Sequence, residues 1–154
     1  DRIDQLEGGR QVVIDYKTGA VHRSSWLGDR PSDAQLPLYA LLNDSVEGVA
    51  FGRVHQEGVE YVFLGEALGL GGKEIPLEDQ VKRYEVAPLE SWEELRRTWR
   101  GRLERLADDF VRGHAAIDPQ PLACRYCALG SVCRYAQSPE LTEEASTDLG
   151  GGAS

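Results

Sequence analysis

The 154-residue sequence has no methionine, only three cysteines, and no apolar run near the roughly 20 residues that a membrane-spanning helix needs. No secretory signal is visible either, and no membrane partner is expected. A reading frame starts with Met, and the first residues already look like strand interior. The sequence therefore predicts a piece of a longer protein, incomplete at its N-terminus. Three cysteines are too few for a disulfide framework. Basic residues are also in deficit: 17 Lys and Arg against 26 Asp and Glu give a net charge of -9. That balance weighs against a general nucleic-acid-binding surface without excluding one, because the charge is uneven. Residues 138–154 carry Glu140, Glu143, Glu144 and Asp148 with no Lys or Arg, whereas 96–112 hold six Arg.

What is present fits one globular domain. Hydrophobic residues make up 41% and charged residues 28%, and the length suffices to bury a core. "DRIDQL" and "RQVVIDYK" flank "EGG" at 7–9, predicting a β-hairpin. Residues 18–32 read as a loop, and "DAQLPLYALLND" at 33–44 as a helix with Pro37 in or beside its first turn. "VAFGRV" and "VEYVFL" around "QEG" predict a second hairpin, followed by a loop over "EALGLGG". The strongest helix is 92–112, opened by a Ser91–Glu94 capping box and closed before Gly113. Its apolar residues Trp92, Leu95, Trp99, Leu103, Leu106 and Phe110 recur at spacings of 3 and 4 and are read as core. A Cys-rich segment spans 119–135, and 138–154 reads as a disordered acidic, Gly-rich tail.

The chemistry concentrates at "VVIDYKTG", 12–19, where an apolar strand ends in an acid and a base two positions apart. Side chains alternate along a strand, so Asp15 and Lys17 share one face while Val12, Ile14 and Tyr16 take the other. With an even number of loop residues in the hairpin, Asp4 joins the Asp15 face. Two carboxylates that close repel unless a cation lies between them, and hard oxygen ligands suit Mg²⁺ or Mn²⁺. Such an ion polarises a phosphoryl oxygen, and a neighbouring Lys stabilises charge developing there. The bland alternative is that Asp15 and Lys17 are ordinary charges on a wet strand face, since D-x-K is short and common. Gln35 and Tyr39, four apart, share a helix face. Cys124, Cys127 and Cys133 form C-x2-C-x5-C, which leaves open free thiols, zinc with His114 as fourth ligand, or an iron–sulfur cluster.

Taken in order, "DRID", "VVIDYKTG", "QLPLYA" and "CRYCALGSVC" resemble the RecB-like branch of the PD-(D/E)xK nuclease superfamily, with the closest look to the C-terminal nuclease domains of AddB-type bacterial DNA-repair proteins. The resemblance runs to about Tyr135. It implies a restriction-endonuclease-like α/β fold, a mixed sheet flanked by helices, over residues 1–137. It also implies a cytoplasmic, metal-dependent DNA nuclease module in repair or recombination, with a helicase-type domain or subunit as partner. Asp4 and Asp15 become metal ligands, Tyr16 a further one through its backbone carbonyl, and Lys17 the catalytic lysine. Gln35 and Tyr39 match a Q-x3-Y motif that supports the active site and the DNA strand. The three cysteines become ligands of a [4Fe–4S] cluster whose fourth Cys lies upstream, as does a helix with its own active-site residue. A segment offering three of four ligands is expected to be empty of the cluster and poorly ordered over 124–133.

Two rival functions remain: an inactive nuclease-like module that binds DNA or positions a helicase, and a metal-stapled protein-interaction module. Among other residues, the six Arg of 96–112 alternate with acids and read as a salt-bridged solvated face. Trp26 reads as a loop anchor rather than a base-stacking platform, and His22 as a surface residue. "GLGG" at 69–72 lacks the lysine and helix of a phosphate loop.

Overall fold

The computed structural model describes residues 1–66, 75–115 and 123–133. The tail over 138–154 and all but Glu66 of the "EALGLGG" segment lie outside them. The chain divides into two compact units, Asp1–Arg112 and Gly113–Ser154.

The first unit is built on a four-stranded mixed sheet in the order β1-β2-β3-β4. Strand β1 (Arg2–Gln5) pairs antiparallel with β2 (Gln11–Lys17) across the expected Gly8–Gly9 turn, where both glycines have positive φ. Helix α1 (Gln35–Leu42) then crosses over, so that β3 (Val46–His55) lies parallel to β2. Strand β4 (Gly58–Gly65) returns antiparallel as the second hairpin. A short helix α2 (Leu77–Val81) and the long α3 (Trp92–Val111) complete this unit. Pro37 falls in the first turn of α1, where its missing N–H costs nothing.

One face of the sheet carries Val13, Val49, Phe51 and Leu64, packed in one core with Leu36 and Ala40 of α1 and with Trp92, Leu95 and Trp99 of α3. Each α3 tryptophan also spends its polar atom there. Trp92 Nε1 donates to the Val46 carbonyl at 2.6 Å, and Trp99 Nε1 to the Trp26 carbonyl at 2.7 Å. Trp26 itself is fully buried with its ring 4.3 Å from Phe51, as befits a loop anchor. The opposite face holds a smaller cluster of Val12, Ile14 and Ala50, with Leu6 and Phe63.

Ser91 caps α3 by accepting from the Glu94 N–H at 3.3 Å, but the Glu94 carboxylate reaches back to the Glu90 N–H rather than to Ser91. The apolar stripe is core only in its first half. Leu106 is 59% and Phe110 84% exposed, which corrects the expectation for them. A 20-residue helix is about 30 Å long, whereas the 8-residue α1 beside it spans about 12 Å, so α3 outruns its packing partner. The arginines are corrected in part as well. Arg102 forks onto Glu85 at 2.9 and 2.5 Å, and Arg96 reaches Asp44 at 2.7 Å, so these two tie α3 to other segments.

The second unit contains a 3₁₀ turn at Ala123–Tyr126 and a single helical turn, α4 (Gly130–Cys133). Among the described residues no helix is long and apolar enough to cross a membrane.

Replacing Trp99 by Ala removes a buried ring and a buried hydrogen bond and is expected to cost about 3–5 kcal/mol in urea unfolding. Phe110→Ala should change stability by less than about 0.5 kcal/mol. Equal losses would mean that α3 packs along its whole length.

Candidate active site

Strand β2 delivers Asp15 and Lys17 to the helix-covered face of the sheet, opposite Phe51 and Arg53 of β3. Asp15 is 5% exposed, an unusual place for a carboxylate. Its Oδ2 lies 2.6 Å from Lys17 Nζ, a close ion pair, and that buried oxygen has no other polar partner among the described residues. The Lys17 side chain is 36% exposed, and its ammonium also sits 5.7 Å from the centre of the Phe51 ring. A second carboxylate, Asp33 Oδ2, lies 3.8 Å from the same ammonium.

The register of the first hairpin corrects the expectation for Asp4. Gln5 pairs with Gln11 across residues 6–10, an odd number, so each β1 residue faces a β2 residue of the same parity. Asp4 is paired with Val12 and therefore points to the other side of the sheet from Asp15. There it receives Arg2 in a two-pronged contact, Nε to Oδ1 at 2.5 Å and Nη2 to Oδ2 at 2.6 Å. That partner holds the Asp4 carboxyl below its ordinary pKa. Arg2 pairs with Ile14, so continuing the register by one residue sets Asp1 opposite Asp15. Such cross-strand neighbours lie about 5 Å apart at Cβ.

Helix α1 holds Asp1 in that position. Gln35 Nε2 donates to Asp1 Oδ2 at 2.8 Å, and the Tyr39 hydroxyl, one turn on, donates to the same oxygen at 3.3 Å. The two residues expected to share a helix face thus converge on one carboxylate. Asp33 lies just ahead of the helix, before its N-cap Ala34: its Oδ1 accepts from the Gln35 N–H at 3.1 Å, and its own N–H donates to the Ser25 carbonyl at 2.9 Å. The Tyr16 side chain faces away from this cluster. Its ring lies over Gly52, where a Cβ would come within 2.7 Å of it.

Asp1 and Asp33 escaped the sequence reading. An odd count of turn residues singles out Asp1; for Asp33 the sequence carries no comparable signal, since the N-cap of α1 is Ala34. Elsewhere His22 is exposed, as expected. Cys124, Cys127 and Cys133 are exposed with free thiols, and His114 is exposed. Among the described residues no group of three or more His, Cys, Asp or Glu gathers to hold a metal ion. The donor chemistry of Asp1 and Asp15 suits a divalent cation: both are hard carboxylates, Asp15 Oδ2 is buried with only the Lys17 ammonium against it, and Asp1 is oriented by two donors.

The contact with Asp15 raises the Lys17 pKa above its ordinary 10.5, with burial opposing and Asp33 assisting. A raised lysine pKa contributes stability in full below 10.5 that is lost as pH climbs through the folded-state value. Lys17→Met should therefore cost about 1 kcal/mol at pH 7, near the upper end for a pair partly open to solvent. The gap to the parent should close as urea titrations are moved above pH 10.5. A gap that widens with pH would contradict the pairing.

Compared with known proteins, residues 1–134 match the family model of the PD-(D/E)XK nuclease superfamily. No curated protein and no solved structure matches the chain.

Proposed function

The chain belongs to the PD-(D/E)XK nuclease superfamily, and on that premise we propose that it hydrolyses DNA phosphodiester bonds with a divalent metal held by Asp1 and Asp15. The observation that carries this is the buried Asp15, its Oδ2 with only the Lys17 ammonium against it, across the hairpin from an oriented Asp1. Tyr16 adds its backbone carbonyl to the ligand set. A bound Mg²⁺ or Mn²⁺ ion supplies Lewis-acid polarisation of a phosphoryl oxygen and of the attacking water.

The chain's own residues do the rest. Gln35 and Tyr39 keep Asp1 facing the centre, so its carboxylate costs little to reorganise on binding. Lys17, a cation at neutral pH, stabilises the extra negative charge that builds on the phosphate as water adds. The water oxygen bonds to phosphorus and gives up a proton to solvent, the opposite P–O ester bond breaks, and the leaving oxygen takes up a proton from solvent. Asp4, turned to the far face and paired with Arg2, takes no part.

On the motif order we place the domain in the RecB-like branch, as the cytoplasmic nuclease module of a bacterial repair or recombination protein with a helicase-type partner. Cys124, Cys127 and Cys133 supply three thiolates of a [4Fe–4S] cluster completed by a cysteine outside this sequence.

Asp15→Asn and Lys17→Ala should slow Mg²⁺-dependent digestion of linear DNA by at least about 100-fold, whereas Asp4→Ala should stay near the parent rate. In parallel, Asp1→Asn and Asp15→Asn should abolish Mn²⁺ uptake read by electron paramagnetic resonance. Undiminished digestion by the Asp15 and Lys17 variants would overturn the assignment, and loss of Mn²⁺ on changing Asp4 would restore that residue in place of Asp1.

A further inference from the structure

Lys17 stands where a cation is wanted. Its ammonium lies 2.6 Å from Asp15 Oδ2, the buried oxygen with no other polar partner among the described residues. A divalent ion approaching Asp15 meets a resident positive charge at that oxygen, and two cations sharing it repel strongly in so sheltered a place. The lysine must give up Asp15 without losing all compensation for its own charge. Only 3.8 Å from the same ammonium waits Asp33 Oδ2. Asp33 is fixed rather than swinging free. Its Oδ1 accepts from the Gln35 N–H at the start of α1, and its N–H donates to the Ser25 carbonyl, which leaves Oδ2 directed at Lys17. The four methylenes of Lys17 give the ammonium the reach to move between the two carboxylates.

We propose that Asp33 is a positioning residue that receives the Lys17 ammonium when a divalent cation takes Asp15, so that metal binding is coupled to a swap of the lysine from Asp15 to Asp33. The inference rests on the metal-centre reading above and adds to it a partner for the lysine. Asp33 touches neither metal nor DNA in this role; it acts through Lys17. The swap leaves the lysine beside the centre, charged and anchored, instead of expelled into solvent.

The test is a double-mutant cycle on Mn²⁺ affinity in the full chain, read by electron paramagnetic resonance of the free ion. Asp33→Asn keeps the oxygen that accepts from the Gln35 N–H but loses the charge, and should weaken Mn²⁺ binding about 10-fold. Lys17→Met removes the competing cation and should tighten Mn²⁺ binding. In that background Asp33→Asn should change affinity less than about 2-fold. Lys17→Gln serves in place of Lys17→Met should the latter fail to fold, as judged by thermal melting.

Equal weakening by Asp33→Asn in both backgrounds would show a carboxylate that merely attracts cations, and would overturn the swap. So would a parent that binds Mn²⁺ and an Asp33→Asn variant that binds it equally well. A parent that takes up no Mn²⁺ at all overturns the metal-centre reading and the swap with it, and is thereby distinguishable from failure of the swap alone.

Discussion

The pairing of β1 with β2 decides where every charged residue of the centre can go. Because side chains alternate, a strand offers two sets of positions, and the turn between two strands settles which set meets which. Here residues 6–10 separate the last pair, and that odd number commits Asp1 to the side of Asp15 and Lys17 while sending Asp4 away with Arg2. One residue more or fewer in the turn would exchange the two acids. The candidate centre therefore depends on backbone geometry several residues from any reacting group.

That geometry is secured by the sheet's two neighbours. On one side β3 runs parallel to β2 and sets Phe51 beside Asp15, giving Lys17 an aromatic face to lie near. From above, α1 connects the two parallel strands and brings Gln35, Tyr39 and Asp33 down onto the same face. The crossover that topology demands of a parallel pair is thus also the element that orients the site. Behind it, the tryptophans of α3 fill the core and bond the carbonyls of Val46 and Trp26, which fixes the helical layer against the sheet.

A balance of charge runs through the same cluster. Two carboxylates, Asp15 and Asp33, flank one ammonium, with Asp15 deeply buried. Such a set carries one more negative than positive charge. The overall acidity of the sequence says nothing of this; three side chains, two from one strand and one from the approach to a helix, create it locally.

Much of this was legible beforehand, for local reasons. Two hairpins follow from alternation broken by glycine, α3 from its period and its Ser91 cap, and the shared face of Asp15 and Lys17 from their two-residue spacing. The Gln35 and Tyr39 pair follows from helical spacing alone, since four residues return a side chain to one face. Opposite Asp15, however, the choice between Asp1 and Asp4 depended on the turn, and alternation within either strand is blind to it. Asp33 meets Lys17 only because α1 folds back over β2, a juxtaposition between residues sixteen apart that no period encodes. Leu106 and Phe110 carry on a stripe that looks buried, yet α3 outruns α1 and leaves them exposed. Sequence determined each element and the side of it that each residue takes, because those are set by backbone repeat. Which sides meet was decided by tertiary structure, because turn parity and packing length belong to pairs of elements and not to any one of them.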